Sequence, residues 1–442
     1  MTIDLAAAFD SVRHDYLFQV LMKRGVSPRF VQVLGQLLLN ATARLRVNGV
    51  LTSPFAVDRS VPQGGPTSAL LFAVVMAPVV TAIHSRLQGV GVAASALKVS
   101  AYADDLYGIL RTPREARAVK EELDHFEAVS GLRTNHSKCA ALPVSRWDAS
   151  DDIGWAYVEE VKVLGITFGK TVESCTKRTW AEVLKSVRGV LIDSSNRNLT
   201  LSQRVWFATV FGLSRVWHAA QVLPLDNAAA KGLISSVSSF IWRGTLFRVL
   251  MEDTTRPKSR GGLGLCNLRL KCTALFTGRW HTMRVLDPDG FTGEWVEAIE
   301  MFFPVGNPPN TGAVWKAAPH YRAYLDTAAY GCLPPGVSAC KLLCREVLDN
   351  LVRRDEAHRQ PPRIARKFPA VNWPQVWRNV HSKALPQRVR DSWYLVVHDL
   401  VVTRALLHAR RVEVGGWTRY QKIRVNSVKK HKLGSKRRKS IS

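Results

Sequence analysis

Acidic residues are scarce in this chain: 35 Asp and Glu stand against 62 Lys and Arg in 442 residues, a formal net charge of +27. So large an excess repels itself unless a polyanion neutralises it. Nucleic acid is therefore the first partner to expect and an anionic membrane surface the second. Cysteine is scarce too, and seven of them spread over this length exclude a disulfide-stapled secreted scaffold. Cys332, Cys340 and Cys344 cluster, but without the close pairing and following histidines of a zinc site. The first ten residues hold acidic groups and no basic stretch, unlike a signal peptide. No apolar run reaches the roughly 20 residues that cross a bilayer. The uncharged stretch Ala69–Ile83 is interrupted by Pro78 and reads as a buried helix, so no membrane contact is expected. The twelve histidines are scattered, and no Ser/His/Asp order points to a hydrolase. No repeat of fixed period is visible. What is present is 46% hydrophobic and 22% charged, ordinary for a globular chain of roughly two to four domains.

The first 170 residues mix strand and helix patterns, which indicates an α+β unit. Thr2–Leu5 reads as a short strand, followed by a helical pattern around Phe18, Leu21 and Met22. Leu45–Val50 and Phe55–Val57 read as strands about the turn-prone Asn48-Gly49. Two more strands flank Asp104-Asp105, and a helix is predicted over Pro113–Val129 with Gly131 as its stop. Beyond residue 171 the pattern turns helical. Trp180, Val183, Leu184, Val187, Val190 and Leu191 fall on one face of an amphipathic helix. Apolar helices continue through Phe240-Ile241-Trp242, and a basic, glycine-punctuated loop follows from Arg256 to Leu265. Pro304–Pro309 and Leu333–Gly336 read as breaks, and a last helix is expected over Arg390–Arg410. From Thr418 onward there are ten basic residues and no acidic one, leaving about 17 of the 27 charges on the folded part.

Three segments carry chemistry. In Tyr102-Ala103-Asp104-Asp105 the acidic pair falls where the chain must turn, and a two-residue hairpin ordinarily prefers Asn-Gly or Asp-Gly there. Two adjacent carboxylates repel one another, and a hard divalent cation would relieve that repulsion; an acidic surface turn is the alternative. Asp4 stands at a strand end, before the small residues Ala6–Ala8 and the aromatic Phe9. Carboxylates converging from separate strands are what two-metal phosphoryl transfer needs. In Pro62-Gln63-Gly64-Gly65-Pro66-Thr67-Ser68, two glycines allow a backbone to approach a ligand closely.

In this order and spacing the segments resemble the reverse transcriptases of non-LTR (LINE-type) retrotransposons. The first palm motif is matched by Asp4, Ala8 and Phe9, the Gln-Gly loop by Gln63, Gly64, Pro66 and Ser68, and the aromatic-x-Asp-Asp box by Tyr102, Asp104 and Asp105. Gly131, Leu132, Asn135 and Lys138 match the next motif, and Leu164-Gly165-Ile166 resembles the primer-grip hairpin. Leu199–Trp242 is like the helical thumb, and Lys258–Leu265 resembles a Lys-x-x-Gly-Gly-Leu-Gly-Leu signature found beyond it. The Gln-Gly loop departs in reading Gln-Gly-Gly-Pro-Thr-Ser-Ala where most relatives have Gln-Gly-Cys-Pro-Leu-Ser-Pro. The fingers region and endonuclease that precede the palm in relatives have no counterpart before Asp4.

The resemblance implies an α+β right-hand palm, an antiparallel sheet backed by helices, over residues 1–170. A helical thumb and connection (171–250), a mainly helical C-terminal region (251–415) and a basic disordered tail (416–442) would follow. It implies RNA-directed DNA polymerisation: an RNA template, a DNA primer or target, dNTPs, and two Mg²⁺ ions, with Mn²⁺ as an alternative. Asp4 and Asp104 would be metal ligands, with Asp105 a third acidic group. Phe9 would exclude a 2′ hydroxyl by bulk, or serve as a plain core aromatic. Gln63 and Gly64 would contact nucleotide and template, Lys138 could protonate pyrophosphate, and Tyr102 would pack beneath the metal site. The basic Lys429–Lys439 stretch would be a nuclear address or an electrostatic arm. The alternative is a catalytically dead remnant that binds RNA or DNA through thumb and tail.

Overall fold

The computed structural model describes residues 1–92, 95–144, 152–244, 248–286, 340–398 and 400. The order begins with β1 (Thr2–Ile3), β2 (Leu5–Ala6), α1 (Ala8–Ser11), α2 (His14–Lys23) and α3 (Pro28–Leu38). Four short strands follow, β3 (Thr42–Ala43), β4 (Arg46–Val47), β5 (Val50–Leu51) and β6 (Phe55–Ala56), then α4 (Ser68–Arg86). Next come β7 (Val90–Val92), β8 (Ser95–Leu97), β9 (Val99–Tyr102), β10 (Asp105–Gly108) and α5 (Pro113–Ser130). Five more strands, β11 (Arg133–Thr134), β12 (Ala140–Ala141), β13 (Ala156–Tyr157), β14 (Glu160–Val163) and β15 (Ile166–Gly169), lead into α6 (Val172–Asp193). The remainder is helical: α7 (Leu201–Phe207), a π-helical stretch Ala208–Leu213, α8 (Ser214–Val222), α9 (Asn227–Trp242), α10 (Met251–Thr254), α11 (Leu268–Leu286), and the helices Cys340–His358, Arg363–Lys367, Trp373–Val380 and Gln387–Val397. The expected breaks at Pro304–Pro309 and Leu333–Gly336, the tail from Thr418 and the end of the last expected helix lie outside the described residues.

Two compact units divide the chain, and each is discontinuous in sequence. The first comprises residues 1–183, 218–229 and 272–348, the second 184–217, 230–271 and 349–442.

In the first unit a five-stranded sheet runs β13-β12-β1-β10-β9, antiparallel except for the β12–β13 pair. Alternation along β10 buries Leu106 and Gly108 and leaves Asp105 and Tyr107 half-buried on the other face. Ile3, paired with Leu106, is buried with it. That apolar face lies in one core with Leu71, Phe72, Val75, Met76, Val79 and Ile83 of α4 and Ala116, Val119, Leu123 and Phe126 of α5. Helix α4 therefore extends four residues beyond the uncharged run, and its 19 residues are long and apolar enough to cross a membrane by length and composition. Its buried stripe instead packs into the core of the unit.

Local chemistry sets the ends of α5. The Thr112 side chain accepts from the Glu115 backbone N–H, Pro113 opens the first turn, and Gly131 closes it at φ +79. Buried Glu115 accepts from the backbone N–H groups of Gln88 and Arg111, so its charge is satisfied by dipoles. Between α3 and α4 the Asn48-Gly49 turn joins β4 to β5 within the expected strand Leu45–Val50, and it is Thr42–Ala43 that pairs with Phe55–Ala56. Both turn residues have positive φ, as a tight hairpin turn requires.

In the second unit the expected apolar face of α6 is borne out: Val187 and Leu191 are buried and Leu184 and Val190 half-buried. Thr200 caps α7 reciprocally with Gln203. The basic glycine loop closes on itself. Gly262 lies so near the Arg256 backbone that a Cβ would overlap it, and Gly261 abuts the Trp377 ring. The Gly261 carbonyl accepts from the Tyr394 hydroxyl, with the His398 ring nitrogen 3.1 Å away. Leu263 and Leu265 are buried. The glycines of this signature thus meet a packing demand of the second unit.

Candidate active site

The first 142 residues bring acidic groups from distant positions to one end of the five-stranded sheet. Strand β1 pairs with β10 so that Thr2 faces Tyr107 and Ile3 faces Leu106; Asp4 directly follows β1, and Asp105 opens β10. Asp4 falls between β1, which belongs to the large sheet, and β2, which pairs with β11. The chain changes partners at this residue, and the Asp4 carbonyl is taken up by the Asn135 backbone N–H at 2.8 Å.

The β9–β10 turn differs from the expectation in one respect. Tyr102 pairs with Asp105, so the two turn residues are Ala103 and Asp104, and Asp105 is the first residue of β10. Ala103 has φ +54, an uncommon conformation for alanine, forced by the two-residue connection. The two aspartates therefore have different settings, Asp104 at the tip and Asp105 in the strand. Tyr102 is 66% exposed and does not pack beneath the carboxylates; the buried side of the hairpin is filled by Leu106.

Lys138 reaches Asp4, with Nζ 3.4 Å from Oδ2. Its loop is held by the Lys138 and Cys139 backbone N–H groups donating to the Asn135 carbonyl, the residue whose own N–H grips Asp4. The Gly131–Lys138 motif is thus tied to Asp4 through both main chain and side chain. Burial pushes the neighbouring Cys139 thiol up from its ordinary range, which keeps it a neutral core group.

Phe9 is half-buried and stacks on buried Phe72, ring centroids 4.3 Å apart. Both readings of Phe9 fit this position: one side packs in the core and the rest remains accessible. The Phe9 carbonyl accepts from the Val61 backbone N–H, which seats the Gln-Gly loop against the segment carrying Phe9. Gln63 and Gly64 are exposed, and Gly64 has φ +87. At Gly65 an added Cβ would lie 2.5 Å from the Ser68 hydroxyl, which is turned toward the Pro62 carbonyl. Any side chain there requires Ser68 to rotate.

Tyr107 was not picked out from the motifs. It lies two residues after Asp105, and the strand period puts the two side chains on one face. Its hydroxyl is pushed up to about 12, first by burial and then by the Asp105 carboxylate it faces. Strand periodicity was the available signal.

Hard carboxylate donors from two strands suit a hard divalent cation. Among the described residues, no three His, Cys, Asp or Glu side chains converge as a ready ligand set. Cys340 and Cys344 begin a helix, and Cys332 lies outside the described residues.

Residues 1–168 match the family described as Reverse transcriptase (RNA-dependent DNA polymerase). The Transposon TX1 uncharacterized 149 kDa protein of Xenopus laevis is 31% identical over 294 residues, 61% of this chain and 21% of that protein. The Retrovirus-related Pol polyprotein from type-2 retrotransposable element R2DM of Drosophila melanogaster is 23% identical over 60% of the chain and 26% of its own length. That of the type-1 retrotransposable element R2 of Popillia japonica is 25% identical over 64% and 49%. The chain spans between about a fifth and a half of the length of these relatives.

Proposed function

We propose, from the premise that residues 1–168 are a reverse transcriptase domain of the non-LTR retrotransposon kind, that this chain extends a DNA 3′ end on an RNA template using dNTPs. One observation carries the reading: β1, which Asp4 directly follows, pairs antiparallel with β10, which Asp105 opens beside the Asp104 turn. In this reading the large sheet with α4 and α5 is the palm, and the helices after it include the thumb. Asp4 and Asp104 would hold two divalent cations, magnesium or manganese, with Asp105 as the third acidic group. Such ions would activate the attacking 3′ hydroxyl and steady the departing pyrophosphate.

The remaining residues position and select. Phe9, braced against Phe72, presents its open edge where a 2′ hydroxyl would clash, which favours dNTPs. Gln63 and Gly64, exposed on the loop seated beside Phe9, contact the incoming nucleotide and the template. Lys138 stands beside Asp4 as the proton donor to pyrophosphate. Exposed Tyr102 lies toward the nucleic acid rather than under the carboxylates. The basic stretch Lys429–Lys439 adds electrostatic affinity for nucleic acid and serves as a nuclear address.

A second reading, a nucleic-acid-binding chain without turnover, is favoured by the lack of three converging ligating side chains among the described residues. Primer extension on an RNA template with Mg²⁺, comparing the chain with Asp104→Ala, separates the two. Polymerisation predicts dNTP incorporation by the parent and none by the variant. If neither incorporates while both shift labelled RNA in a gel, the binding reading stands.

A further inference from the structure

Helix α3 carries more apolar surface than the fold covers. Leu34, Gly35 and Leu38 are buried, and Val31 is half-buried beside them. At 3.6 residues per turn, Phe30, Val33 and Leu37 fall within about 60° of one another on the adjoining arc. They are 53%, 53% and 71% exposed. The remaining arc carries Arg29, Gln32 and Gln36, the ordinary solvent face of a surface helix. Phe30, Val33 and Leu37 thus form a second apolar stripe, roughly 10 Å long, that nothing covers. The chain runs on from α3 into a hairpin arm, rooted where the Val57 backbone N–H donates to the Ala41 carbonyl and built from the β3–β6 and β4–β5 pairs. Val47 pairs with Val50, and Leu45, two residues before Val47, shares their face. Every residue from Arg44 to Ala56 is exposed. A two-stranded arm so exposed is marginal in water by itself, and apolar surface of this kind marks a place where a protein meets a partner.

Charge identifies the partner. Between Asp15 and Asp58 the chain has no acidic residue, while Lys23, Arg24, Arg29, Arg44 and Arg46 are all exposed. Among the described residues none of these cations forms an ion pair. The surface therefore calls for a partner that is both apolar and anionic. A second copy would set the same cations against one another. A phosphate backbone neutralises arginines but leaves aliphatic Val33 and Leu37 in water. A bilayer takes up a broad apolar face, whereas this stripe is narrow and bordered by Arg29, Gln32 and Gln36. Side chains at i, i+3 and i+7 are what one further helix covers. We propose that α3 is the docking surface for an acidic amphipathic helix of a partner protein. The apolar side of that helix lies along Phe30, Val33 and Leu37, and its flanking carboxylates meet Arg29 and, from the arm, Arg44 and Arg46. Docking of this kind needs none of the groups assigned to polymerisation.

The test uses the full chain and a fluorescent peptide of about 14 residues, with Leu at helical spacing on one face and Glu elsewhere. A shuffled peptide of the same composition and a version with Lys for Glu are the controls, and binding is read by anisotropy. The parent is expected to bind the ordered peptide at least about tenfold more tightly than either control. Val33→Ser/Leu37→Ser should weaken that binding by about thirtyfold through lost apolar burial. Both side chains are exposed, so the thermal melt should not move. Leu37→Glu is the second variant, and it sets a carboxylate against those of the peptide with the same loss of binding. Arg29→Gln/Arg44→Gln/Arg46→Gln should weaken binding about fivefold at low salt and remove most of its salt dependence. Equal affinity for ordered and shuffled peptides, or parent-like affinity in both α3 variants, overturns the proposal. So does either of two other occupants. One is a lipid surface, read as flotation with vesicles of phosphatidylcholine and phosphatidylserine in equal parts that Leu37→Glu abolishes while the peptide stays unbound. The other is a second copy, read as a dimer in sedimentation velocity that the α3 variants dissociate.

Discussion

Replacing Asp4 by Asn separates a functional carboxylate from a structural one. The structural cost can be worked from its contacts. Asp4 pairs with Lys138 at 3.4 Å, with 31% and 66% of the two side chains exposed. Pairs as exposed as this contribute about 0–1 kcal/mol, because water screens the attraction and two side chains must be ordered. The bond that anchors residue 4 to the Asn135 N–H uses the backbone carbonyl, which the substitution leaves in place. Asn has nearly the shape of Asp, so no cavity forms. A loss of up to about 1 kcal/mol lowers the melting temperature by roughly 2–4 °C in a unit of this size. The catalytic cost is of another order. Loss of a metal-holding carboxylate forfeits several kcal/mol of transition-state charge stabilisation, and about 4 kcal/mol corresponds to roughly a thousandfold in rate. Single-turnover primer extension with Mg²⁺, run beside a thermal melt followed by circular dichroism, reads both quantities on one preparation. Extension within about tenfold of the parent at an unchanged melt would refute the assignment of Asp4 to the metal site. A fall of more than about 10 °C would show instead that the carboxylate is part of the fold.

Leu106→Ala removes the fully buried side chain under the carboxylate hairpin and should cost about 2–5 kcal/mol in urea unfolding of the first unit; a loss below about 1 kcal/mol would mean the hairpin is not core-supported. Arg256→Met deletes a buried guanidinium bonded to Asp253 at 2.9 Å and facing Glu356 at 3.7 Å, so it strands buried acidic groups. About 3–5 kcal/mol of destabilisation is expected by chemical denaturation, and a neutral outcome would show that the neighbouring Arg260 and Arg359 suffice for Glu356. His381 is lowered to about 4 by burial, with Lys258 and Arg390 adding repulsion. Its folded value lies below the unfolded one, so the unfolded chain binds the extra proton between about pH 6.5 and 4, and its stabilising contribution declines as pH falls through that window. The slope is at most about 1.4 kcal/mol per pH unit, an upper bound for a ring only half-buried. The parent should therefore lose more unfolding free energy between pH 7 and 5 than His381→Gln, and parallel pH profiles would refute this.

Features written in neighbouring residues could be read directly. Thr112, Pro113 and Gly131 delimit α5 because capping is satisfied within a turn of the chain, and the helix ends one residue beyond its predicted end. The 3.6-residue spacing of Trp180, Val187 and Leu191 named a face that is buried. The acidic pair, the first aspartate and the Gln-Gly loop were recognisable by order and spacing. Misreadings arose where a local pattern admits two registers. Tyr102-Ala103-Asp104-Asp105 can turn on either the last two or the middle two residues, and the pairing of Tyr102 with Asp105 selects the latter. The same choice leaves Tyr102 exposed, since a shift of one residue reverses the face of a strand.

The amino-acid order by itself determined the chemistry available to this protein: hard carboxylates flanked by apolar strands, small residues where backbones approach closely, and a large cationic surplus. Those properties belong to residue types and short spacings. That β1 lies beside β10, that Lys138 rests on Asp4, and that the His218 ring meets the Leu164 carbonyl were decided by tertiary structure alone. Each joins residues some 50 to 130 positions apart, and strand register and helix packing over such separations are settled by burial of the whole core rather than by any local preference.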